Sequence, residues 1–205
     1  MKKRRLPIPL ILLIPIVMLV IVSIAGVYRF SLSDEEIMAK FPSQQKTMDP
    51  VVKLVFGIDS PNPWTIEVPE TKAFSFIDQY DAETKLASGR YDSGAERGRV
   101  IVDTQWLKQL SDNDYASVMA VSNQGSGVFY YLARFYFDPA VKRMVVKQAE
   151  FLGDRVAISG VELSESTLKV TLLIHGENQA MSDKPNKEET RTFTIGRAST
   201  LHQAE

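Results

Sequence analysis

Residues 6–28, from Leu6 to Tyr28, are 23 consecutive positions without a charge, dominated by Ile, Leu and Val. At 1.5 Å rise per residue a helix of that length reaches about 34 Å, enough to cross a hydrocarbon layer of about 30 Å. Lys2, Lys3, Arg4 and Arg5 precede it, and the positive-inside tendency holds such a cluster on the cytoplasmic side. The sequence therefore predicts a cytoplasmic tip and transmembrane anchor over 1–28, with the remainder across the membrane. Pro7 and Pro9 fall in the first turns, where a missing amide donor costs little, and Pro15 predicts a kink that membrane helices tolerate. Ser23 and Ala25 stand at signal-peptidase spacing, so cleavage before Gly26 is the alternative. Either way the same region is exported.

The chain has 24 basic and 25 acidic residues. Without the four basic residues at 2–5 the balance is 20 against 25, a net charge of −5. An acidic exported region offers no electrostatic footprint for nucleic acid. Cysteine is absent, which excludes a disulfide framework, a thiolate metal site and a lipobox.

Ser33, with Glu36 three residues on, has the form of a capping box and predicts a short helix ended by Pro42. Residues 42–50 read as a linker, so 29–50 forms a membrane-proximal helix and tether. From 51 to 205 a β-rich domain is expected. Val51–Phe56 and Trp64–Val68 read as strands, as does Arg99–Val102. Ser88–Gly89 and Ser93–Gly94 read as turns, and Trp106–Leu110 as a helical turn. Ser117–Val121 and Val128–Phe137 flank a hairpin loop over 122–127, and Phe129, Tyr131, Ala133, Phe135 and Phe137 share one face by the strand period of two. Gly153–Asp154 suits a tight II′ turn between two strands, and the parity slip between Ile158 and Val161 calls for a β-bulge at Gly160. Leu168, Val170, Leu172 and Ile174 form the buried side of another strand. Residues 176–188 are a long polar loop, Phe193 and Ile195 end the pattern, and the tail from Gly196 is expected to fray. The fold class is thus α+β, predominantly antiparallel β, as a sheet or partly closed barrel behind one N-terminal transmembrane helix.

Gly125-Ser126-Gly127 before an aromatic strand, Phe151-Leu152-Gly153-Asp154-Arg155-Val156, His175-Gly176, Met181, Pro185 and Thr192-Phe193 together resemble a module of exported bacterial lipoproteins and secreted envelope proteins of uncharacterised function. The resemblance covers about residues 115–195. It implies export from a bacterial cell and a β-rich module, and it brings no activity with it. Ser111-Asp112-Asn113-Asp114 lacks the glycine of the calcium-like loop those relatives carry. Ser182-Asp183 stands where they have a paired cysteine.

Several residues could carry chemistry. His175 sits on the polar side of its strand at the start of the long loop and would have to act as a lone imidazole base. Asp112 and Asp114 offer two oxygens where calcium needs six to eight. Asp154 and Arg155 read as turn chemistry, and Gly125–Gly127 lacks the following helix that a phosphate loop needs. Tyr130 and Arg134 lie on the second face of the aromatic strand, which either is covered by the N-terminal strands or forms a binding surface. The candidate binding surface is His175, Met181, Tyr130 and Arg134, with no catalytic, cofactor or metal ligand set. The expectation is a single-pass inner-membrane protein with a periplasmic domain that binds an envelope protein or peptidoglycan without catalysis. Its lipid partner is the inner membrane, through 6–28. The alternative is an envelope hydrolase using His175 and scattered carboxylates such as Asp78, Asp81, Glu83 and Asp92.

Overall fold

The computed structural model describes residues 10–31 and 48–204. The capping box at Ser33–Glu36, the basic tip and most of the linker lie outside them. The described chain falls into two units, divided between Thr47 and Met48. In the first, helix α1 (Leu10–Ser31) runs 22 residues with Pro15 inside it. Leu19, Val22, Ile24 and Val27 are exposed on its surface. Among the described residues no helix is long and apolar enough to cross a membrane.

The second unit opens with α2 (Pro50–Phe56), where the sequence predicted a strand. Capping overrides the β-branched composition: Asp49 Oδ1 accepts from Val52 N at 2.8 Å, and Pro50 starts the helix. Gly57, at φ +70°, ends it by donating its N–H to Lys53 O. Val51 and Val52 are buried, and Phe56 meets Trp64 and Tyr115 edge-on at 4.8 and 4.9 Å.

Twelve strands follow: β1 (Trp64–Glu67), β2 (Phe74–Ile77), β3 (Gln79–Asp81), β4 (Leu86–Asp92), β5 (Arg97–Ser111), β6 (Asp114–Ser122), β7 (Val128–Asp138), β8 (Arg143–Asp154), β9 (Ala157–Ser164), β10 (Thr167–Ile174), β11 (Lys187–Ile195) and β12 (Leu201–Gln203). Eight form one sheet in the order β2-β1-β8-β7-β6-β5-β4-β3. The two ends of that order, β2 and β3, are separated in sequence only by Asp78, whose N–H donates to Ser88 O. One bent segment thus leaves one edge and joins the other, and the sheet is a nearly closed, mainly antiparallel barrel. The exception in direction is β1 on β8, parallel, with Thr65 opposite Val145. Ser88–Gly89, expected as a turn, lies inside β4. A Cβ at Gly89 would stand 2.1 Å from Phe76 O, so glycine is what lets the seam approach.

The barrel interior takes alternate residues of each strand. On β7 the odd positions Tyr131, Ala133 and Phe135 face inward, with Trp64 against Phe135 at 4.9 Å. The even face is covered, but by the C-terminal sheet and not by the N-terminal strands. That sheet, β12-β11-β10-β9, buries Leu168, Val170, Leu172 and Phe193 against Ala116, Val118, Leu132 and Leu152. The β10 alternation is as expected. The slip in β9 is a bulge: Thr171 pairs with Gly160 and Leu172 with Ile158, so Ser159 is the extra residue beside Gly160.

Three further expectations are corrected. Trp106–Leu110 belongs to β5, where five steps from Asp103 to Lys108 face two steps of β6 from Val118 to Ala116. The bulge so made turns Trp106 onto the second core. Gly153–Asp154 is no hairpin turn, because β8 and β9 lie in different sheets. The chain changes sheets at Arg155, held at φ +51° by Arg155 N donating to Val128 O at 2.7 Å. The tail does not fray: Leu201 is buried, and Gln148 donates Nε2 to Leu201 O at 2.6 Å while accepting from Leu201 N at 2.9 Å.

Candidate functional site

Strand parity decides which groups reach the space between the two sheets. Val100 and Val102 point into the barrel, so Ile101 and Asp103 point outward. On β6 and β7 the same alternation sends Val118, Ala120, Val128 and Tyr130 outward. Val156 and the first residues of β9, Ala157 and Ile158, stand over these residues, leaving a cleft of about 310 Å³ also lined by Leu86 and Trp106. The walls are apolar except for the Asp103 carboxylate, the Tyr130 phenol and the indole N–H of Trp106.

Asp103 is held by its own bulge. Its Oδ1 accepts from Gln105 N at 3.1 Å and its Oδ2 from Gln105 Nε2 at 2.7 Å, while Asp103 O accepts from the buried Ser117 Oγ at 2.6 Å. Burial raises its carboxyl above the ordinary 3.8, against the opposing hydrogen bonds from Gln105 and the Trp106 side chain. Burial also raises the Tyr130 phenol, and the Asp103 charge adds to the shift. The Tyr130 hydroxyl donates no hydrogen bond among the described residues. The cleft thus offers a carboxylate with acceptor capacity to spare, a free hydroxyl and apolar walls. That set suits a group with an apolar length and an N–H or ammonium tip.

The four residues marked in the sequence do not form one surface. Tyr130 lines the cleft. Arg134, four residues along the same face, donates Nε to Asp114 Oδ1 at 2.6 Å, with the two side chains only 12% and 9% exposed. Asp114 Oδ2 also accepts from Ser111 Oγ at 3.3 Å. His175 and Met181 belong to the loop between β10 and β11, and neither lines the cleft. His175 Nε2 lies 2.9 Å from Asp183 O, and Met181 is 39% exposed. Asp154 fixes the sheet-to-sheet crossing, accepting Val128 N at 2.9 Å on Oδ1 and Arg155 Nη2 at 2.9 Å on Oδ2.

Asp103 was missed. Its signal was present in parity: in Val100-Ile101-Val102-Asp103 the carboxylate shares a face with Ile101 and stands three residues before Trp106. A second concavity of about 340 Å³ lies between Glu70, Phe129, Tyr131 and Phe151. No protein-family model matches the chain, and no curated protein or solved structure matches it.

Proposed function

We propose that this chain is a single-pass bacterial inner-membrane protein whose 48–205 unit lies in the periplasm. There it binds an amine-bearing side chain of an envelope protein or of peptidoglycan, without catalysis. The observation that carries the binding reading is the inter-sheet cleft, in which the Asp103 carboxylate and the Tyr130 phenol stand with the Trp106 indole on a mainly apolar wall. A lysine-like group fits this chemistry: its methylenes lie on Ile101, Val118 and Ile158, and its ammonium meets a carboxylate that burial has left under-compensated. The basic residues at 2–5 and the uncharged stretch 6–28 support the anchor and its orientation.

Two experiments test the reading. A periplasm-dependent reporter fused after Glu205 is expected to be active, with the protein retained in carbonate-washed membranes. A soluble form beginning near Gly26 would replace the anchor by a cleaved leader. For the cleft, n-butylammonium and purified peptidoglycan are titrated against the protein, with Asp103→Asn and Ile158→Trp as variants. Binding is expected to fall about tenfold or more in both, the first by loss of the charge and the second by filling the space. Unchanged binding in both variants refutes the cleft. Turnover of peptidoglycan or of simple esters that is abolished by His175→Ala would put an envelope hydrolase in place of the binding module.

A further inference from the structure

At one mouth of the barrel three aromatic rings converge without closing the core. Tyr131 and Phe151 stand 5.5 Å apart between centroids at 60°, and Phe129 and Phe151 stand 6.5 Å apart at 46°. Phe151 remains 51% exposed. The fourth wall is Glu70, carried on the turn between β1 and β2. That turn is fixed: Lys72 N donates to Val68 O at 3.1 Å, Thr71 N to Pro69 O at 2.9 Å, and Glu70 sits at φ +69°. A non-glycine residue held there is a strained position that the surrounding bonds impose. Its carboxylate is close enough to the Tyr131 phenol to raise it, in addition to burial.

Ring faces carry negative potential, and an exposed carboxylate adds a full charge beside them. A compact ammonium such as lysine's is strongly hydrated and needs several acceptors, whereas this mouth supplies one carboxylate and three rings. A quaternary ammonium has no N–H to satisfy, is weakly hydrated, and reaches ring faces within about 6 Å on several sides. The concavity of about 340 Å³ accommodates a trimethylammonium group. Among the described residues the guanidinium of Arg191 bonds to this rim, donating Nη1 to Phe151 O at 3.1 Å, and is paired with Glu189 at 2.6 Å.

We propose that the barrel mouth formed by Glu70, Phe129, Tyr131 and Phe151 is a binding site for a quaternary ammonium group. The site is separate from the Asp103 cleft, and each stands or falls alone. The test uses the full chain in maltoside micelles. Choline and its neutral carbon isostere 3,3-dimethylbutan-1-ol are titrated while the Phe151 and Tyr131 ring resonances are followed. Choline is expected to bind about tenfold or more tightly than the isostere. Phe151→Leu, which keeps apolar volume and removes a ring face, and Glu70→Gln are each expected to lower choline affinity several-fold. Both positions are exposed, so both variants fold. Equal binding of choline and the isostere makes the mouth a plain apolar pocket and overturns the proposal, as does the absence of choline binding. In nanodiscs, competition by phosphatidylcholine but not phosphatidylglycerol assigns the ammonium to a lipid headgroup, and its failure assigns it to a soluble solute. Either result upholds the site.

Discussion

Replacing Arg134 with methionine keeps the length and much of the volume of the side chain while deleting its charge. The partner, Asp114, is 2.6 Å away, and neither side chain is more than 12% exposed. At an effective dielectric near 20, two charges at this distance attract by about 6 kcal/mol. Desolvation of the two ions consumes most of that, so the pair as a whole adds little to stability, yet stranding one member should cost about 3–5 kcal/mol. Arg134→Met leaves Asp114 with only the Ser111 hydroxyl for its side chain, and Asp114→Asn leaves the guanidinium without its counter-charge. Each single variant should therefore lose about 3 kcal/mol or slightly more. The double variant should lose less than the sum by about 2–3 kcal/mol, the coupling expected of residues in contact. Urea melts of the 48–205 unit at pH 7 measure all four corners of the cycle, provided the slope with denaturant stays constant. Additive losses, or single losses below about 1 kcal/mol, would show that water reaches the pair. The second sheet would then not cover this face of β7 as described.

Three further outcomes are expected. Asp103 has a raised carboxyl in the folded state, so its contribution is most favourable below its ordinary pKa and is lost as pH rises through the raised value. Asp103→Asn should therefore stabilise the domain at pH 7 and lose that advantage near pH 3 in paired urea melts; a gain that grows on acidification would contradict the sign. Leu201→Ala should cost roughly 2–4 kcal/mol and speed amide exchange throughout β12, whereas a frayed tail would give almost no change. In thermal melts, His175→Ala should stay within about ±0.5 kcal/mol of the parent while Leu172→Ala and Phe135→Ala lose about 2–5 kcal/mol. A histidine variant as damaged as the core variants would place the imidazole in the core.

What could be read from the chain alone followed periodicity. β7 and β10 carry an unbroken period of two, and the core-facing side of each came out as the alternation implied. Val51–Phe56 departs from its β-branched composition because Asp49, Pro50 and Gly57 together mark the ends of one short helix. Trp106 defeated periodicity for another reason: a wide bulge inserts residues without changing the strand's overall direction, so local spacing mimics a helical turn. The docking of the tail was not legible, since it depends on Gln148, 53 positions away from Leu201. Likewise the cleft exists only because two sheets meet. Tyr130 could be marked from its strand, whereas Asp103 acquires its surroundings from β9. His175 and Met181 were singled out by loop position, a signal that carries no information on what faces them.

The β1–β8 pairing at Thr65 and Val145 bears on the order of assembly. A chain made or threaded from its N-terminus presents β1 and β2 long before β8, the second partner of β1, so 80 positions separate Thr65 from Val145. Hairpins β4 to β8 can zip from neighbour to neighbour, each closing a short loop. The β1–β8 ladder must close a long one, and such non-local pairings are slow because loop entropy is lost before contacts compensate it. During that interval Trp64 and Ile66, which end fully buried, are exposed to water. Folding should accordingly show a fast phase for the meander and a slower one reported by Trp64 fluorescence, and the interval between them is when an emerging copy is most open to aggregation or to a chaperone.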